Sequence, residues 1–126
     1  MRLLFDTNAL LWLLGGDDRL GAAARGAVQS ADALVVSVAS LWEIAVKVSI
    51  GKLGAIPGLH AAVRDLGFER LPIRDAHLAA LESLPLLHRD PFDRLLVCQA
   101  LTEPLAVLTA DPAFAPYGPV VVDASA

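Results

Sequence analysis

Short, almost uninterrupted apolar runs alternate along this chain with segments of helical periodicity, and that alternation narrows the possible folds more than any other feature. Five runs read as strands: residues 2–5, 33–37, 68–73, 105–109 and 119–122. Near-continuous apolarity suits strands covered on both faces. Between them, residues 8–14 are apolar all round and residues 20–30 are rich in alanine. Val38, Leu41, Trp42, Ala45 and Val46 fall at i, i+3, i+4, i+7 and i+8, one apolar face of a helix that stops near Gly51. Two further helices are expected over about 57–66 and 75–84. The helix over 91–101 has the clearest ends, with Asp90 as N-cap, Pro91 at the first helical position and Pro104 beyond its end. Strands alternating with helices imply parallel pairing through right-handed crossovers. The expected fold is a single three-layer α/β/α domain over residues 1–126, with a mainly parallel sheet of four to five strands. In such sheets ligands bind outside the carboxyl ends of the strands.

Composition removes several alternatives. With 56% hydrophobic and 19% charged residues the chain is too apolar to be disordered. A net charge of -4 excludes a strongly basic nucleic-acid coat, though not a local basic patch. A single cysteine rules out a disulfide framework and a cysteine-based zinc site. The mean hydropathy of +0.57 raises the question of a membrane. The apolar stretch over residues 3–14 carries Asp6 and Asn8, is too short to span a bilayer, and lacks a signal-peptide cleavage region. The expectation is a soluble cytoplasmic protein whose surplus apolar surface is covered by a partner or a second copy.

Four acids fall where the crevice should be. Asp6 ends the first strand. Glu43 lies in the helix after the second. Asp93 sits in the first turn of the helix opened by Asp90-Pro91, and Asp111 follows the fourth strand. Like charges gathered in one site repel and raise one another's pKa, a conflict that a hard divalent cation removes. Mg²⁺ or Mn²⁺ held by carboxylates, with no histidine or cysteine ligand, is the arrangement expected of a metal-dependent nuclease. Each acid also has a local explanation. Asp6 can cap the next helix. Glu43 and Lys47 form an i, i+4 pair, and Ser40 with Glu43 has capping-box spacing. Asp93 can complement the helix dipole, and Asp111-Pro112 can be a cap or a turn. Capping explains each acid singly, but not why so many gather at one sheet edge.

Lys47, Lys52, Arg74, Arg89 and Arg94 lie in or near segments flanking the crevice and are candidates to hold phosphates. His60, His77 and His88 lack any mutual metal-binding spacing and read as surface or capping residues. Cys98 reads as a small buried hydrophobe. Ser37 and Ser40 have no histidine or lysine arranged to activate them.

Four blocks carry a resemblance: Leu4-Phe5-Asp6-Thr7-Asn8, the run from Ser40 to Lys47 containing Trp42-Glu43-Ile44, the run from His88 to Leu96 containing Asp90-Pro91-Phe92-Asp93-Arg94, and Leu108-Thr109-Ala110-Asp111. Together they resemble the PIN-domain family, and more narrowly the ribonuclease toxins of VapBC toxin–antitoxin pairs. The resemblance covers essentially the whole chain. It implies Mg²⁺- or Mn²⁺-dependent cleavage of RNA at an acidic site of Asp6, Glu43, Asp93 and Asp111. It further implies that Asn8 and Thr109 support that site and that Asp90 stands behind it. Family members usually form homodimers, and an antitoxin covers the helices near the site.

Other functions compete. A phosphotransferase of the haloacid-dehalogenase type wants a second Asp two residues after the first, where this chain has Asn8. A signalling receiver wants an acidic pair at the first strand and a lysine near the last, and neither is present. A non-catalytic PIN-like domain would use the apolar helices carrying Trp12 and Trp42 as a partner groove.

Overall fold

The computed structural model describes all 126 residues. In chain order the elements are β1 (Arg2–Phe5), α1 (Thr7–Gly15), α2 (Ala22–Ser30), β2 (Ala33–Ser37), α3 (Val38–Ser49), α4 (Leu59–Asp65), β3 (Glu69–Leu71), α5 (Asp75–Ser83), α6 (Pro91–Thr102), β4 (Ala106–Thr109) and β5 (Val121–Asp123). A short 3-10 turn over Ala115–Tyr117 precedes β5. All strand pairs are parallel and the sheet order is β3-β2-β1-β4-β5. The chain therefore works outward from β1 on one side and returns to β4 on the other. That reversal is a topological switch point, and it lies between the carboxyl ends of β1 and β4.

Period-two alternation in the strands divides the core into two layers. Leu3 and Phe5 point to one side, where they pack with Leu10 of α1, Ile44 of α3, Val63 of α4 and Phe68. Leu4 points to the other, with Val35, Val107, Leu96 and Val97 of α6 and Phe114. Leu3, Leu4 and Phe5 are wholly buried, as expected for a central strand covered on both faces. Phe5 and Phe68 close the first layer edge to face, with centroids 4.9 Å apart.

Helix ends follow their caps. Asp6 accepts from the Ala9 N–H at 2.7 Å, and α1 ends on Gly16 in the left-handed region at φ 60°. The cap of α3 is Ser37, which accepts from the Ala39 N–H at 3.0 Å, so the Ser40–Glu43 spacing is not a capping box. Asp90 caps α6 by accepting from the Asp93 N–H at 3.0 Å, with Pro91 next.

The structure shortens three strands, the fourth only by Leu105. Over residues 68–73 only Glu69–Leu71 pair. Glu69 and Arg70 are exposed on this edge strand, so it is not covered on both faces. The last strand lies at Val121–Asp123, after Pro119, rather than over 119–122. No helix is long and apolar enough to cross a membrane.

Candidate active site

The switch point fixes Asp6 and Thr109 side by side, although they stand 103 residues apart in sequence. The Thr109 hydroxyl donates to Asp6 Oδ2 at 2.6 Å, and its oxygen accepts from the Asp111 N–H at 3.0 Å. One threonine thus ties the ends of β1 and β4 to the turn carrying Asp111. Asp111 Oδ1 accepts from the Ala113 N–H at 2.9 Å, so its turn role is real and leaves its other oxygen unengaged.

Helix α3 delivers Glu43, which is 5% exposed despite its charge. Its two oxygens face different partners. Thr7 Oγ1 donates to Oε1 at 2.5 Å, and Lys47 Nζ lies 2.8 Å from Oε2. The i, i+4 pair read from the sequence therefore exists, but its acid is in the interior. Helix α6 delivers Asp93 one turn in, beside its own N-cap Asp90. His88 Nε2 lies 2.9 Å from Asp93 Oδ2.

Electrostatics binds these groups into one site. Asp93 is pushed up to about 6, first by burial and then by the charges of Asp90, Asp6 and Glu43, against the His88 hydrogen bond. Asp6 is also raised, first by burial, with the Asp111 and Glu43 charges adding to it and its hydrogen bonds from Thr109 and Ala9 opposing. Lys47 is raised chiefly by its bond to Glu43, helped by Asp90 and Asp93. Carboxylates from β1, α3, α6 and the turn after β4 therefore sense one another across one crevice.

The donor chemistry fits a divalent cation. His88, Asp93 and Asp111 each offer a ligand atom, and these atoms lie within 4.8 Å of one another. Asp6 and Glu43 lie outside this compact set, and their oxygens face Thr109, Ala9, Thr7 and Lys47. The roomiest hollow, about 470 Å³, lies elsewhere, between α3 and α4, lined by Leu41, Ile44, Val48, Ile56 and Leu59. It is apolar and holds none of these acids.

The other sequence candidates separate clearly. Asn8 is exposed on α1 and makes no side-chain hydrogen bond; its neighbour Thr7 is the residue that touches an acid. Lys52 and Arg89 are exposed and free of carboxylates. Arg94 is engaged by its own fold: its guanidinium donates to the carbonyls of Leu84, Pro85 and His88 and to Tyr117 Oη. Arg74 does not reach the crevice. It binds Glu103 at 2.6 Å, at the far end of α6, about 15 Å from Asp93 at the helical rise of about 1.5 Å per residue.

Two contacts escaped the sequence. Thr7 reads as an ordinary first-turn residue, yet it positions Glu43. His88 reads from the sequence as a surface or capping residue, but the structure turns it onto Asp93. Its proximity in sequence to Asp-Pro-Phe-Asp was the one available signal.

Comparison with known proteins agrees with this fold. The family model described as PIN domain matches residues 3–118. No curated protein matches the sequence. Among solved structures, a chain of VapBC2 from Rickettsia felis, bound to a DNA fragment from their promoter, aligns with a TM-score of 0.72 at 13% identity, covering 97% of this chain and 98% of that one. A chain of a toxin–antitoxin complex from Klebsiella pneumoniae aligns at 0.68 and 21% identity, covering 96% of each. A chain of DNA-bound VapBC from Salmonella typhimurium aligns at 0.67 and 14% identity, covering 98% and 97%.

Proposed function

This chain belongs to the PIN-domain family, and we propose that within it the protein is a divalent-metal-dependent endoribonuclease, the toxin of a VapBC-type toxin–antitoxin pair. One observation carries the proposal. The charges of Asp6, Glu43, Asp93 and Asp111 act on one another around the switch point, with Lys47 as their only basic ion-pair partner apart from His88, and Asp6 and Asp93 are held above their ordinary pKa. A protein that needed these acids only as caps would have no reason to crowd them.

Asp6, Asp93 and Asp111 would hold Mg²⁺ or Mn²⁺, with Glu43 joining as Lys47 swings aside. The cation supplies charge neutralisation at a phosphodiester and acidifies water for in-line attack on phosphorus. Thr109 keeps Asp6 and the Asp111 turn in register. Thr7 aims Glu43, and Asp90 fixes the first turn of α6. Lys52 and Arg89 are the cations free to bind phosphates, and Lys47 becomes a third once released from Glu43.

The whole-length likeness to chains of VapBC and toxin–antitoxin complexes supports an antitoxin partner acting in the same cytoplasmic setting. A homodimer is supported by Val38 and Trp42, exposed apolar residues one turn apart on α3, with Ile50 exposed just beyond its end. Light scattering should give a dimer mass for the native chain and a monomer for Trp42→Glu; a native monomer removes that part.

The test of function is incubation of the purified chain with single-stranded and structured RNA, in Mg²⁺, in Mn²⁺ and after chelation. Cleavage that chelator stops is the expected result. Intact RNA with either metal sinks the nuclease.

A further inference from the structure

We propose that His88 is a nitrogen ligand of the cation held by Asp93 and Asp111, so that this centre takes a first-row transition-metal ion in preference to Mg²⁺. The inference rests on the acidic site being a metal centre, as proposed above, and adds which metal class it selects.

Three observations carry it. His88, Asp93 and Asp111 form a compact donor set, with all ligand atoms within 4.8 Å. The 2.9 Å hydrogen bond between His88 Nε2 and Asp93 Oδ2 brings these two donors within reach of one ion. The imidazole is also accessible rather than built into the core: its side chain is 25% exposed and that of Asp93 19%. His77, by contrast, is fully enclosed and uses both ring nitrogens within the fold.

Finally, the histidine is held in place from its backbone. The N–H groups of Leu87 and His88 both donate to Tyr117 Oη, at 3.0 and 2.8 Å, while Arg94 takes the carbonyls of Leu84, Pro85 and His88. Nδ1 makes no hydrogen bond within the chain, so it can take the ring proton when Nε2, hydrogen-bonded to Asp93 in the metal-free chain, becomes the ligand.

Oxygen-only sites suit Mg²⁺. An imidazole nitrogen suits the transition series, in which Mn²⁺ is the weakest binder. Mn²⁺ is therefore the stringent probe. The experiment is a Mn²⁺ titration of the full chain followed by electron paramagnetic resonance, with pulsed detection of nitrogen coupling, for the native protein, His88→Gln and the control His60→Gln. Circular dichroism checks that each variant is folded.

The native protein and His60→Gln should show nitrogen coupling. His88→Gln should lose it and bind Mn²⁺ at least about tenfold more weakly, with Mg²⁺ affinity by calorimetry changed less than about twofold. Bound Mn²⁺ without nitrogen coupling overturns the inference, and so does an equal loss of affinity for both ions. The two proposals fail separately. Nitrogen-coupled Mn²⁺ with uncut RNA removes the nuclease and keeps the ligand. Cut RNA without nitrogen coupling does the reverse.

Discussion

The antiparallel hairpin of α5 and α6 carries a histidine–carboxylate pair at each end, and the two ends behave in opposite ways. At the far end, His77 Nε2 lies 3.2 Å from Glu103 Oε1, and Arg74 binds the same oxygen at 2.6 Å. Burial works against the charge of Glu103, but the bonds from His77 and Arg74 outweigh it and hold the carboxyl below its ordinary value. At the crevice end, His88 meets Asp93 at 2.9 Å, yet Asp93 is pushed up to about 6, because burial and the charges of Asp90, Asp6 and Glu43 outweigh one imidazole. The same pair is a closed staple where cations suffice and an open demand for positive charge where they do not. The local contact does not distinguish the two; the surrounding charge does.

The contrast can be broken most severely at the crevice. Asp93→Asn should reduce metal-dependent RNA cleavage by at least about a hundredfold while thermal unfolding shows the fold retained, because the substitution removes a charge the fold disfavours. Retained cleavage would show that the acids gather without working. At the staple the expectation reverses. His77→Ala removes a fully enclosed ring and leaves the Arg74 N–H without its partner, and should cost about 2–3 kcal/mol in denaturant unfolding, with Mn²⁺ binding unchanged.

Next in size is a pH effect that only the crevice produces. The folded carboxyl of Asp93 keeps its proton up to about 6, whereas the unfolded chain loses it near the ordinary 3.8. The contribution of Asp93 to the stability of the metal-free protein should therefore be fullest below about 4 and fall as pH rises toward about 6, by about 2 kcal/mol once solvent screening is allowed for. Asp6 adds in the same direction. Saturating Mn²⁺ at pH 7 should restore the loss, raising the melting temperature by about 5–10 °C. No metal effect in scanning calorimetry would contradict a cation site. The smallest change is Arg74→Ala, an exposed pair, which should cost under about 1 kcal/mol and leave cleavage untouched. Impaired cleavage would return Arg74 to the RNA path.

The parallel sheet was legible because β1, β2 and β4 are buried on both faces and write that burial as unbroken apolar runs. The edge strand β3 was overdrawn because an edge needs only Leu71 inside, while Glu69 and Arg70 face solvent. Asp6, Asp93 and Asp111 stand out because each follows a strand or opens a helix, and Glu43 because its helix starts directly at the end of β2, positions that topology sends to one edge. His88 does not. It lies five residues from Asp93 and off its helix, so their meeting depends on a loop reversal that no periodicity encodes. The Arg74 pairing is hidden for the complementary reason: its partner Glu103 is 29 residues away, and the contact follows only from the antiparallel sense of α5 and α6.

The guanidinium of Arg94 has a consequence for how the protein would meet a polyanion. With its donors directed at three carbonyls and the Tyr117 hydroxyl, this cation displaces no counterions from a nucleic acid backbone, although it sits next to Asp93 in the chain. The slope of affinity against salt should therefore count Lys52, Arg89 and a released Lys47, and omit Arg94. Replacing Arg94 would loosen the loop that aims His88 while leaving that slope unchanged, a signature opposite to that of an ordinary phosphate-binding arginine.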